Sequence, residues 1–111
     1  SFSGNTSTVV DAEAYGGSYT SLNDGTASLT YQAPVDPVAF NCRDLRVIGP
    51  GSGDWMLSLE VNGVFFTTID ATTIPDGPRQ VLYDANICSS DITYEFTLMS
   101  GSGAGIDAVL S

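Results

Sequence analysis

Hydrophobic and polar residues alternate along much of this chain, and the alternation has the two-residue period of a β-strand. In DWMLSLEV (54–61), Leu57, Leu59 and Val61 share one face and polar residues occupy the other. Runs of Gly, Ser, Thr, Asn, Asp and Pro interrupt the pattern about every 8–12 residues, as in sandwiches and barrels. A second clear case is DITYEFTLM (91–99), whose inward positions are Ile92, Tyr94, Phe96 and Leu98.

This pattern predicts about eight or nine short strands. The third predicted strand is long enough to bend or break near Asn41. Asn62-Gly63 predicts a type I′ hairpin, because both central positions of that turn need positive φ. The predicted strands span residues 8–15, 27–33, 37–49, 54–61, 64–70, 78–84, 91–99 and 105–111.

The strand pattern predicts an all-β fold, a two-sheet antiparallel jelly-roll sandwich. At 111 residues the chain has the length of one domain, 1–111. Within it, we interpret residues 1–8 as a flexible or strand-donating arm.

The charge balance excludes several classes of function. There are 13 acidic residues against 3 arginines, with no lysine or histidine, and the net charge is −10. We expect no nucleic acid partner, because phosphates require cations, and no membrane insertion, because no run of 18 apolar residues occurs. Without histidine, the usual Ser-His-Asp and Cys-His machinery is missing, so we expect that the protein is not an enzyme.

Cys42 and Cys88 are the two cysteines of the chain. An even count without histidine or CxxC spacing favours a disulfide over a zinc site. Such a bond would close about 47 residues and stabilise the fold by about 4 kcal/mol. The alternative is a pair of buried free thiols in a reducing compartment. We expect the disulfide, and with it a secreted, extracellular protein.

Two acidic residues near the start of the chain raise the question of a metal site. Asp11 and Glu13 fall two apart in the predicted strand 8–15, so they would project from the same face. Calcium takes carboxylate and carbonyl oxygens as ligands. If the first and last strands are neighbours, Asp107 would join the pair; otherwise each carboxylate is solvated alone.

Three segments, in order, carry a family resemblance: VDAEAYGGSY (10–19), WMLSLEVNGV (55–64) and GAGIDAVLS (103–111). They resemble the β-sandwich carbohydrate-binding modules of families six, thirty-five and thirty-six. The resemblance spans most of the chain and implies non-catalytic binding of a polysaccharide or glycan outside the cell. It also implies a structural calcium held by Asp11, Glu13 and Asp107 together with backbone carbonyls.

Sugar rings pack on exposed aromatic faces, so aromatic residues near loops are the candidate binding residues. For Trp55 the alternative is a place in the core. The loop SGSGAG before the last strand lacks the amide, carboxylate or aromatic that the family pattern carries there. We assign Tyr94, Phe96, Phe65 and Phe66 mostly to packing. The predicted carbohydrate-binding residues are Trp55, Tyr15, Tyr19 and Tyr31, with Asn23 and Asp24 adding hydrogen bonds.

A second function of a different class fits the same composition. The chain has no lysine, many Ser, Thr and Gly residues, and an opening segment, SFSGNTSTVV, that would be able to add a strand to a neighbouring sheet. The alternative is therefore a structural subunit of an extracellular filament or adhesin that self-associates by strand exchange.

Overall fold

The computed structural model describes residues 1–33, 41–89 and 91–111. Eleven strands and two short 3₁₀ turns account for the regular structure of these residues, which confirms the all-β prediction. The strands are β1 (Phe2–Ser3), β2 (Thr6–Val10), β3 (Ser18–Leu22), β4 (Ser28–Gln32), β5 (Asn41–Gly49), β6 (Met56–Val61), β7 (Val64–Asp70), β8 (Gln80–Ser89), β9 (Thr93–Ser100), β10 (Ala104–Ile106) and β11 (Ala108–Leu110).

The strands form three antiparallel sheets that share one core. The largest has the order β1-β4-β9-β6-β7, and the two three-stranded sheets have the orders β10-β3-β2 and β11-β5-β8. Asp107 alone separates β10 from β11, so the closing segment passes from one three-stranded sheet to the other at this residue. The architecture is the antiparallel jelly-roll sandwich that the sequence predicts, with its strands hydrogen-bonded in three sheets rather than the predicted two.

The core follows the alternation seen in the sequence. The inward residues of β9 and two of the three in β6 are buried, while Val61 is partly buried against them, and side chains from all three sheets join in one cluster. Phe65 and Phe66 are different, because β7 is an edge strand and both side chains remain largely exposed, Phe65 by 60%. Assigning these two residues to packing was therefore wrong. The buried inward positions are Leu57, Leu59, Ile92, Tyr94, Phe96 and Leu98.

The chain before Leu22 differs most from prediction. Strand β3 was missed because SYTSL carries too few apolar residues to show the alternation. The opening segment is not a free arm, because β1 pairs with β4 and β2 pairs with β3 of the same chain. In the long third strand, residues 37–40 lie outside the described residues, as does any bend at their junction with Asn41. The remainder is one strand with a bulge between Val47 and Ile48.

Polar side chains hold the opening segment against the turn between β3 and β4. Asn5 Nδ2 donates to Asp24 Oδ2 at 2.7 Å, and the Thr26 backbone N donates to Asp24 Oδ1 at 2.8 Å. Asn23 Nδ2 donates to Ser7 Oγ at 3.2 Å. Hydrogen bonds from the Thr26 side chain, the Asn5 side chain and the Thr26 backbone lower the pKa of Asp24 below its ordinary value of 3.8.

Cys42 and Cys88 lie directly opposite each other on β5 and β8 and form a disulfide, which confirms the predicted bond. Within the parts of the chain that the structure describes, no helix has the length and apolar character needed to cross a membrane.

The hairpin between β6 and β7 can be tested with one backbone substitution. Asn62 has φ 51° and Gly63 has φ 79°, and no neighbouring atom lies near the position of an added Cβ on Gly63. We expect Gly63→Ala to lower the free energy of unfolding by about 1–2 kcal/mol through left-handed backbone strain alone. Gly25→Ala is the matched control, because Gly25 is outside the positive-φ region and has room for a methyl group. Equal urea-unfolding midpoints for the two variants would contradict the assigned turn.

The cluster around Asp24 predicts a pH dependence of stability. Because the folded state lowers the pKa of Asp24, its carboxylate stabilises the fold fully above the ordinary value of 3.8 and stops doing so as the pH falls through the lowered pKa. We expect Asp24→Asn to melt below the wild type at neutral pH, with a gap that closes under acidic conditions. Asp54→Asn, at an exposed carboxylate, is the control and should show no such gap. A gap for Asp24→Asn that stays constant with pH would refute this account.

Candidate functional site

The acidic pair at the start of the chain lies on a turn rather than on a strand. Strand β2 ends at Val10, and Asp11 Oδ1 then accepts a hydrogen bond from the Glu13 backbone N at 2.9 Å. The Ala14 backbone N donates to the Asp11 carbonyl at 3.1 Å, and the Asp11 N donates to the Gly17 carbonyl at 3.0 Å. The predicted strand 8–15 was wrong here because the Asp11 side chain satisfies the turn locally. The two carboxylates therefore do not project from one strand face.

Asp107 connects this turn to the closing segment. The predicted first and last strands, 8–15 and 105–111, are not neighbours. Strand β3 lies between β2, which overlaps the first, and β10, which overlaps the last. The Tyr15 backbone N donates to both Asp107 carboxylate oxygens, at 3.0 and 3.1 Å. The Asp107 backbone N donates to the Ile48 carbonyl on β5 at 2.7 Å. Only 3% of the Asp107 side chain is exposed, so protein groups rather than water must stabilise its negative charge.

The cation beside Asp107 is Arg79, which directly precedes β8. Its Nη1 lies 3.5 Å from Asp107 Oδ2 and donates to the Glu13 carbonyl at 3.5 Å. Its Cζ lies 3.4 Å from the centroid of the Tyr15 ring, so the guanidinium stacks on the aromatic face. One arginine thus contacts the turn, the exposed tyrosine and the buried carboxylate.

The predicted calcium ligands do not fit a calcium ion in this arrangement. Asp107 already faces the Arg79 guanidinium, whose charge opposes a second cation, and Asp11 lies on a turn instead of sharing a strand face with Glu13. No group of three or more His, Cys, Asp or Glu side chains in residues 1–33, 41–89 and 91–111 could hold a metal ion. The predicted ligand set of Asp11, Glu13 and Asp107 is therefore not assembled as a cation cage.

A surface cavity of about 300 Å³ lies where the sheet β10-β3-β2 meets the β1-β4 edge of the five-stranded sheet. Its volume is at the lower end of the roughly 300–1,000 Å³ typical of small-molecule sites. The lining combines aromatic and aliphatic surface with hydroxyl groups. The lining residues are Phe2, Thr8, Ser18, Tyr19, Thr20, Leu29, Tyr31, Ile106, Asp107, Ala108 and Val109.

Two of the predicted sugar-binding residues, Tyr19 and Tyr31, border this cavity from different sheets. The Tyr31 side chain lies on the face that lines it, whereas Tyr19 alternates with Ser18 and Thr20 on the central strand β3, so its ring lies on the other face of that sheet. Tyr19 packs on Gly105, where an added Cβ would lie 2.7 Å from the ring, so glycine is needed for the ring to lie this close. Tyr31 stacks on the buried Tyr94, with 6.3 Å between ring centroids. Both rings are half-buried and supported by neighbours, which restricts their motion before any ligand binds.

The other predicted sugar-binding residues do not line the cavity. Trp55 is 0% exposed, and its Nε1 donates to the Ser52 carbonyl at 2.8 Å, so its ring is a core residue rather than a sugar platform. Tyr15 is 56% exposed beside Asp107, with Arg79 over its ring. Asn23 and Asp24 bind Ser7, Asn5 and Thr26 at the opposite end of β3, in hydrogen bonds that hold the opening segment.

Sequence reasoning missed Arg79 and the cavity hydroxyls of Thr8, Ser18 and Thr20. Arg79 carried a usable signal, because a chain with 13 acidic and 3 basic residues has few cations to partner a buried carboxylate. The hydroxyls carried none, since Ser and Thr are frequent throughout the chain and their grouping depends on the pairing of β2 with β3.

No protein-family model matches the chain, and no curated protein matches it. Solved structures do. An exo-β-1,3-galactanase from Phanerochaete chrysosporium with β-1,3-galactotriose superposes with a TM-score of 0.72 at 13% identity, over 98% of this chain and 26% of that one. The present chain thus spans about a quarter of that enzyme's length.

Two family 35 carbohydrate-binding module structures from Clostridium thermocellum match over nearly their whole length. One has a TM-score of 0.61 at 15% identity and covers 97% of this chain and 87% of that one. The other has a TM-score of 0.57 at 18% identity and covers 100% and 91%. The chain therefore has the β-sandwich fold of the family 35 carbohydrate-binding modules, as the sequence resemblance implied.

Proposed function

We propose that this domain is a non-catalytic carbohydrate-binding module that binds a neutral polysaccharide in the cavity lined by Tyr31 and Phe2. The observation that carries this proposal is the grouping of these two aromatic residues with the Thr8, Ser18 and Thr20 hydroxyls in one open cavity. The likeness of the fold to family 35 modules supports it.

The chemistry of the cavity is complementary to a sugar. A pyranose has apolar C–H faces that pack on aromatic rings, and hydroxyl groups that exchange hydrogen bonds with Ser and Thr. Tyr31 and Phe2 supply the aromatic surface, while Leu29 and Ile106 extend the apolar part. Because the cavity is open to solvent, a sugar unit in the middle of a long polysaccharide is able to enter it. Binding does not require a free end of the polysaccharide.

The same cavity is poorly equipped for hydrolysis. Glycoside hydrolysis requires a pair of carboxyl groups on opposite sides of the scissile bond. Among the described residues that line the cavity, Asp107 is the one carboxylate, and its oxygens accept from the Tyr15 amide and face Arg79. This arrangement supports a binding role without catalysis.

The charge of the domain favours a neutral ligand. The net charge is −10, and the arginines Arg79 and Arg46 are paired with Asp107 and Asp84. A polysaccharide rich in carboxylate or sulfate groups would be repelled over the whole surface. The fold shared with a galactanase that was solved with β-1,3-galactotriose makes β-1,3-galactan the first ligand to test.

The Cys42–Cys88 disulfide supports a place of action outside the cell, because such bonds persist in oxidising compartments. The filament or adhesin hypothesis remains an untested prediction without a specific observation in its favour. Its strand-donating arm is already used, since β1 and β2 pair with β4 and β3 of the same chain.

The proposal is tested by affinity electrophoresis in gels containing β-1,3-galactan, xylan, β-glucan or, as the acidic comparison, polygalacturonate. We expect retention by at least one neutral polysaccharide and none by polygalacturonate. Tyr31→Ala should weaken binding roughly tenfold or more, because the stacking surface is lost. Tyr31→Phe keeps the ring and should retain most of the affinity.

Phe65→Ala is the matched control for loss of an aromatic ring. Phe65 is 60% exposed on β7, the edge of the five-stranded sheet opposite to β1, so its removal should leave binding unchanged. If no neutral polysaccharide retards the folded wild type, or if Tyr31→Ala binds as well as Phe65→Ala, the proposed function or its site is refuted.

A further inference from the structure

We infer that Arg79 takes the position of a structural metal ion in this domain, so that the fold and its ligand binding are independent of calcium. The resemblance to calcium-containing modules implies a cation between the opening and closing segments. The structure places a cation there that belongs to the chain itself. The part of this inference that concerns ligand binding rests on the proposed function; the part that concerns stability does not.

The guanidinium makes the connections that a bridging cation would make. It lies 3.5 Å from the Asp107 carboxylate in the closing segment and donates to the Glu13 carbonyl in the opening turn. It also covers the Tyr15 ring, whose own backbone N donates to Asp107. The charge of the nearly buried Asp107 is thereby neutralised by a monovalent group that is covalently part of the fold.

A calcium ion at the same place would meet unfavourable conditions. Calcium requires six to eight oxygen ligands at about 2.3–2.6 Å. Among the described residues, no group of three or more His, Cys, Asp or Glu side chains stands ready to supply them. A divalent ion on Asp107 would also lie within a few ångströms of the Arg79 charge, where like charges repel strongly.

The geometry calls for arginine specifically. Its planar guanidinium is able to stack on Tyr15 while Nη1 points at both the Asp107 carboxylate and the Glu13 carbonyl. A lysine would keep the charge but would present a single ammonium group without the planar face. Substitution by lysine should therefore retain part of the function of Arg79, and substitution by glutamine should remove it.

The primary test is thermal unfolding of the wild-type protein in millimolar calcium and, separately, in excess chelator. We expect melting temperatures that agree within about 1 °C. A folded-state site with micromolar affinity would instead raise the melting temperature by several degrees at millimolar calcium, because a ligand that binds only the folded state stabilises it. Such a rise in the wild type would overturn the inference, and this measurement requires no variant to fold.

Variants then test whether Arg79 provides the cation. We expect Arg79→Gln to lower the melting temperature on the order of 10 °C, and Arg79→Lys to lower it less. Arg46→Gln is the matched control, because it breaks an ion pair of similar length, 3.4 Å, in which both side chains are 48% exposed. That change should cost about 2 °C or less. Equal losses for Arg79→Gln and Arg46→Gln would contradict the assigned role.

The third arm repeats the neutral-polysaccharide gel with calcium and with chelator. We expect equal retention under both conditions, and loss of retention in chelator would overturn the inference. If the wild type is retained in neither condition, the proposed function fails, while the two thermal arms still decide whether the domain depends on calcium.

Discussion

The Asp107 carboxylate is the group on which the arrangement of the two chain ends depends. A charge removed from water must be matched by hydrogen bonds and an opposite charge, or its burial opposes folding. Here the Tyr15 amide supplies hydrogen bonds and Arg79 supplies the charge, while the Asp107 backbone N bonds to Ile48. Satisfying this one residue fixes the opening turn, the segment before β8 and the crossing from β10 to β11 relative to one another.

The same constraint shapes the candidate binding surface. Asp107 lines the cavity, and the neighbouring Ile106 and Ala108 belong to the two short strands that it separates. Gly105, two residues before Asp107, leaves room for the Tyr19 ring to pack on the other face of the same sheet. The surface that we propose for a polysaccharide is therefore built on the segment that holds the two three-stranded sheets together, which gives it a rigid base for stacking.

The sequence predicted the parts of the fold that are marked by a local pattern of residues, and it missed parts that depend on neighbouring strands. Alternation placed Leu57, Leu59 and the inward residues of β9 correctly, and Asn62-Gly63 predicted a real left-handed turn. Strand β3 was missed because its residues are mostly polar and its pairing comes from β2 and β10 on either side. A one-dimensional pattern reports burial of apolar side chains, and it reports little about strands held by their neighbours.

The candidate site was predictable only in part, for related reasons. The resemblance singled out Asp107, although as a calcium ligand rather than as the partner of an arginine, and aromatic character identified Tyr31. Trp55 has the same chemistry, but its ring is enclosed and its N–H satisfied by Ser52, which is a consequence of tertiary packing. The identity of the cation as Arg79, 28 residues before Asp107, depends on how the segment before β8 approaches the opening turn.

The most direct measurement of the central interaction is hydrogen exchange at the Tyr15 backbone amide, followed by NMR in the wild-type protein without calcium. If Asp107 holds the opening turn as described, this amide should exchange as slowly as the paired amides of β10, although the Tyr15 side chain is largely exposed. Exchange at the rate of an unstructured chain would show that the carboxylate does not hold the turn, and the account built on that contact would fail.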